Sequence, residues 1–127
     1  MTDNMIELAK RALACKGWRW SSGMLWLVKR AAPLEDYAGR AVLGYTRPHE
    51  AMPVLTDPAT VGCLLALVRS AYSDPWFYVR PSDTYRPDGA LGWECFGYLP
   101  GRNGGSWRGS GYASEVEAIV AALEAAP

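Results

Sequence analysis

With 127 residues, the chain is the size of one ordinary domain, and a composition half apolar and one-fifth charged excludes a disordered chain. Thirteen basic and thirteen acidic residues cancel, which excludes a general nucleic-acid binder, since such proteins live on excess positive charge. The cysteines, Cys15, Cys63 and Cys95, are odd in number, far apart and without a CxxC pair; this argues against a disulfide framework or a zinc site.

The opening MTDNMIELAK carries acids rather than a basic and then apolar leader, so a soluble, cytoplasmic protein without a membrane segment is expected. The first helix should run from Asp3 or Asn4, both good caps, to Cys15, with Ile6, Ala9 and Leu13 on one stripe and Gly17 beyond its end. Met24 to Arg30 predicts a strand, APLEDYAG a loop, and Ala41 to Thr46 a second strand. Arg47 to Pro53 follows as a loop holding the only histidine, His49, expected to be solvated.

The next helix is the clearest element. Asp57 or Thr56 should cap it, Pro58 suits its first position, and Val61, Leu64, Leu65, Val68 and Tyr72 form its stripe. Cys63 and Leu67 widen that stripe, so the helix should be covered on more than one side. WFYVR at 76–80 predicts a third strand, short, bulged or at an edge because of Pro81. LGWECFGYL at 91–99 predicts a fourth, reached through the turn chemistry of Arg86-Pro87-Asp88-Gly89. Residues 101–112 are glycine-rich and are expected to be a loop. Ser114 and Glu117 form a capping box for the last helix. The expectation is a single α+β domain over 1–127, of order α-β-β-α-β-β-α: a small antiparallel sheet of about four strands with three helices.

Six tryptophans and seven tyrosines, against two phenylalanines, supply rings with polar tips that serve cores and binding surfaces alike. Of the thirteen basic residues only Lys10, Lys16 and Lys29 are lysines; the arginine bias leaves room for a local site for an anion or a base. Trp20, Trp26 and Trp93 are expected in the core. In the 101–112 segment Arg102 and Arg108 flank Trp107 just before a helix start. That pattern could clamp an anion, although it matches neither GxGxxG nor a P-loop, and a plain connection would look the same. Trp76, Arg80 and Arg86 could complete the site. Glu94, between Trp93 and Cys95, could face a polar concavity or simply solvent. His49 with any cysteine is a poor candidate for a nucleophilic pair, since the thiols lie in apolar stretches. No metal and no cofactor is implied.

CKGWRW, LTDPATVGCLLALVR and the closing EAIVAALEAAP together resemble small proteins encoded by bacteriophages and prophages. The resemblance is best over residues 12–24, 55–72 and the last helix. The family pattern has Met-Pro where this chain has Ser21-Ser22. The resemblance implies expression inside an infected bacterium and carries no catalytic residue across; by analogy such proteins include factors that counter host defence. The leading expectation is a non-enzymatic accessory protein that holds a small anionic or nucleotide-like ligand or a host protein. The alternatives are a small enzyme acting on nucleotides or other small molecules and a structural protein acting by self-association as a homo-oligomer.

Overall fold

The computed structural model describes residues 1–98 and 106–127. The chain is α+β, with order α1 (Asp3–Ala14), β1 (Leu25–Val28), β2 (Tyr37–Arg40), β3 (Met52–Pro53), α2 (Pro58–Tyr72), β4 (Tyr78–Tyr85), β5 (Leu91–Tyr98), β6 (Ser106–Tyr112) and α3 (Glu115–Ala125). The expected sheet of about four strands is replaced by two three-stranded antiparallel sheets. Sheet A has the order β2-β1-β3 and sheet B the order β4-β5-β6. A helix follows each set of three strands, yet the two strand orders differ, so the halves are not copies of one unit.

Three strand readings change, each for a physical reason. The second strand is Tyr37–Arg40, not Ala41–Thr46. Its register sets Gly39 opposite Trp26, where a Cβ would stand 2.6 Å from the indole Cζ2, so only glycine lets the ring lie on the strand. Residues 42–45 instead form a turn, Tyr45 N–H to Val42 C=O at 3.1 Å, with Gly44 at φ 85°. Met52–Pro53 forms a two-residue strand on the other side of β1, hidden in the sequence by its proline. The expected loop after the fourth strand becomes β6 from Ser106 onward, paired with β5 through backbone groups. There the register shifts between Trp93 and Cys95, and Gly111, at φ 80°, comes within 3.2 Å of a Cβ placed at Gly92. Residues without bulk allow this close approach. Pro81 behaves as expected: β4 is an edge strand, and its register with β5 shifts between Pro81 and Tyr85.

The helices begin where their caps predict, or one residue earlier. Thr2 rather than Asp3 caps α1, accepting from Met5 N–H at 3.2 Å. Ser114 Oγ accepts from Glu117 N–H at 3.1 Å, and the Glu117 carboxylate turns back to Ala113 N–H at 2.9 Å. Asp57 does more than cap α2. Its Oδ2 accepts from Thr60 N–H at 3.0 Å and from the Thr60 hydroxyl at 2.9 Å, while Arg40 of β2 grips both carboxylate oxygens at 2.6 and 2.9 Å. The Thr60 hydroxyl in turn accepts the Leu25 N–H of β1 at 2.8 Å. One carboxylate thus joins α2 to two strands of sheet A.

The core lies where α3 meets sheet B, α1 and α2. Leu64, Leu67, Val68 and Tyr72 of α2 pack there with Phe77, Cys95, Ile119 and Leu123. Phe77 stacks on Tyr72, whose hydroxyl donates to the Ala122 carbonyl at 2.9 Å. Trp20, Trp26 and Trp93, expected inside, are half-buried at the rim; an indole keeps its N–H satisfied more easily there.

Candidate functional site

The structure draws three of the proposed ligand-binding residues onto the open face of sheet B, opposite α3. Arg80 of β4 donates through Nε to Glu94 Oε1 at 2.6 Å, and Arg108 of β6 through Nη2 to Glu94 Oε2 at 3.0 Å. The stem of Arg86 lies over Gly92, two residues along β5 from Glu94 and so on the same side, and its guanidinium pairs with Asp88 at 3.3 Å. Tyr78 and Phe96 stack beside them at 5.8 Å, with Arg80 5.3 Å from the Tyr78 ring centre. Trp76 stands in the turn before β4, 82% exposed, its backbone N–H held by Asp74. Trp107 is in β6, its backbone opposite Gly97. Arg102 lies outside the described residues.

These arginines are already answered. Glu94 is 6% exposed, and the Arg80 guanidinium, then that of Arg108, holds its carboxyl below the usual range against the opposing effect of burial. An anion arriving here would have to displace a carboxylate from each guanidinium. Glu94, open to two readings in sequence, is neither in an empty concavity nor free in solvent; it is the centre of a three-residue ion ladder across the sheet.

A different place has an unanswered cation. The connection from α1 to β1 presents Trp20, and the connection from β2 to β3 presents Tyr45, Arg47 and His49. Between them is a cleft of about 400 Å³, lined also by Leu13 and Ala51. A hollow of about 150 Å³ adjoins it, sharing Trp20, Tyr45 and Arg47. Arg47 lies over Trp20, its guanidinium carbon 4.5 Å from the ring centre, and the Trp18 and Trp20 rings meet near a right angle with centres 5.4 Å apart. Arg47 is exposed; slight burial of its guanidinium lowers its pKa, and no acidic group acts against this. Arg11, Arg40, Arg80, Arg86 and Arg108 all pair with carboxylates. Arg19, Arg30 and Arg69 donate to neutral oxygens. Arg47 alone among the described arginines has neither.

Chemically, the cleft offers a flat π surface, a forked donor already stacked on it, an imidazole and the Tyr45 ring, which is 78% exposed. No carboxylate and no cysteine lines either hollow, so no Cys–His pair involving His49 is assembled there. A larger hollow of about 600 Å³, between Met5, Val61, Leu65 and Val116, has Glu115 as its one charged residue and does not suit an anion. Among the described residues no group of three His, Cys, Asp or Glu is placed to hold a metal ion, and no helix is long and apolar enough to cross a membrane.

Arg47 escaped the sequence reading, and His49 was read only as a solvated residue and a poor nucleophilic partner, because both sit in an irregular segment with no periodicity, far along the chain from Trp20. The available signal was an arginine flanked by turn residues in a chain already rich in Trp-Arg neighbours. No family model, no curated protein and no solved structure matches this chain.

Proposed function

We propose that the chain is a non-enzymatic binding protein that holds a small, planar, anionic ligand of nucleotide-like chemistry in the Trp20–Arg47 cleft. One observation carries this reading: an exposed guanidinium, without a carboxylate or carbonyl partner among the described residues, set over an indole at the wall of a 400 Å³ cleft. A cation in that position gains most from an anion, and a ring system bound beside it extends the stack. The absence of carboxylate and thiol from the lining favours binding over catalysis. The resemblance to phage-encoded proteins is the ground for reading the protein as an accessory factor in an infected cell.

A panel of nucleoside mono-, di- and triphosphates, cyclic nucleotides and polyphosphate tests the reading by thermal shift. A ligand present at a hundred times its Kd raises stability by about 2.7 kcal/mol. Trp20→Leu and Arg47→Ala should each abolish the shift, and Arg47→Lys should weaken it, because the flat fork is lost while the charge stays. A panel member that binds the parent and both truncated variants equally would move the site elsewhere. A panel without any binder would remove the nucleotide class. A second reading, a host protein docking on the open face of sheet B, is favoured by exposed Trp76 in the turn leading into β4 and by the Tyr78–Phe96 stack on that face.

A further inference from the structure

The free edge of sheet A is complementary to itself. β2 stands at the end of the order β2-β1-β3, so one side of its backbone is unpaired among the described residues. Ala41 N–H donates to the Met24 carbonyl at 2.8 Å. By the alternation of an antiparallel ladder, Tyr37 and Gly39 also point their backbone groups at β1, and Ala38 and Arg40 point theirs outward. Such an edge is a template for another strand, and folded chains usually blunt it with lysine, proline or a covering segment. β2, Tyr-Ala-Gly-Arg, has no lysine and no proline. Large apolar side chains stand in water at both of its ends, Leu34 at 60% exposure and Val42 at 51%.

The distribution of charge selects the partner and the register. Two copies of β2 can pair antiparallel about a two-fold axis at any of its residues. An axis at Asp36 or at Arg40 sets like charges against each other. An axis at Tyr37 sets Asp36 opposite Ala38, and one at Gly39 sets Arg40 opposite Ala38. With the axis at Ala38, Asp36 faces Arg40 twice, so an acid meets a base at each end of the paired strands. Arg40 already holds Asp57 and the Gly23 carbonyl through Nη1 and Nη2, which leaves its Nε–H for a second carboxylate. We propose that β2 is a homodimer interface, in which the strand pairs antiparallel with β2 of a second copy about an axis at Ala38 and fuses the two copies of sheet A into one sheet of six strands.

Sedimentation of the full chain over a range of concentrations tests this. The parent should pass from monomer to dimer as concentration rises. Ala38→Pro removes the outward N–H at the axis, and Asp36→Lys sets two cations opposite; each should weaken dimerisation by about tenfold or more. Because Asp36 also accepts the Arg30 N–H at 3.0 Å and pairs with Lys29 at 3.9 Å, circular dichroism and the thermal midpoint of each variant check that it still folds. The register has its own test. In a background with Cys15→Ser and Cys63→Ser, Ala38→Cys should form a chain-to-chain disulfide on mild oxidation, because a hydrogen-bonded antiparallel pair sets Cα atoms about 5.5 Å apart, within disulfide reach. A parent that stays monomeric up to about 1 mM, a concentration at which even a weak Kd would show, overturns the proposal. So does a dimer that Asp36→Lys leaves as tight as before, or one in which Ala38→Cys fails to cross-link.

Discussion

Adding one methyl group at two different glycines should move stability in opposite directions. At Gly97 of β5 a Cβ would stand 2.3 Å from Phe77 Cδ2 and 2.9 Å from Cε2, whereas unstrained carbon atoms sit about 3.5–4.0 Å apart. The ring would have to retreat by more than about 1 Å to restore that spacing. It has nowhere to go: Phe77 is fully buried, stacked on Tyr72, and Tyr72 is tied by its hydroxyl to Ala122. Gly97→Ala is therefore an overpacking change, expected to cost about 1–3 kcal/mol and to fall at the upper end. At Gly62, on the exposed side of α2, nothing lies within 4 Å of the added atom. There the methyl group removes backbone freedom from the unfolded chain, and Gly62→Ala should stabilise by about 0.5–1 kcal/mol. Urea denaturation of the parent and both variants, with equal slopes, measures both effects. A Gly97→Ala midpoint at or above that of the parent would show that the Phe77 ring does not rest on this strand, and the packing of sheet B against α2 would have to be redrawn.

Leu64, fully buried at the centre of α2, should cost about 2–5 kcal/mol on truncation to Ala, read as a lower denaturation midpoint. Acid should unfold the protein partly through Glu94. Its carboxyl is depressed first by Arg80 and then by Arg108, so its contribution is present above its ordinary value of 4.5 and is lost as pH falls below that value toward the depressed one. A Glu94→Gln variant should show a flatter acid limb in a pH series of thermal midpoints, and an unchanged limb would contradict the ladder. Burial pushes the Cys95 thiol up to about 12, so it should resist iodoacetamide in the native state at pH 8 and react once urea is added, as peptide mapping by mass spectrometry would show.

The helices were legible because their signals are local. Asp57-Pro58 and the Ser114–Glu117 box fix helix starts through side chains within one turn of the backbone groups they satisfy. Pro81 was legible for the same kind of reason, since a missing N–H confines it to an edge or a bulge. β2, β3 and β6 were not, because each is held by something distant. β2 is placed by the fit of Gly39 under Trp26 and by Arg40 reaching Asp57; the apolar run that follows it is turned aside at Gly44. β6 is Gly- and Ser-rich where strand propensity asks for bulk, and its pairing with β5 outweighs that preference. The site divides in the same way. Residue type pointed to arginines near rings, and Arg80, Arg86 and Arg108 do gather on one face, but only the folded chain reveals which guanidinium lacks a counter-charge. That depends on Glu94 falling between Arg80 and Arg108, and on no acid falling beside Arg47.

The Asp57 carboxylate acts as a single rivet through three elements, and this sets the order in which the native protein should come apart. Fully buried apolar side chains are concentrated around α2, α3 and Phe77, whereas sheet A contributes few and is fastened largely by Arg40, Asp57, Thr60 and Leu25. Arg40, with help from Thr60, keeps the carboxyl well below its ordinary range, so the rivet holds through neutral pH. Opening it once frees the first turn of α2, the end of β2 and the amide of Leu25 together. Amide protons of β1 and β2 should then exchange as one group at a lower free energy than those of α3 and β5, which wait for the whole domain to unfold. Proteases would be expected to find their first cut in that same half of the chain.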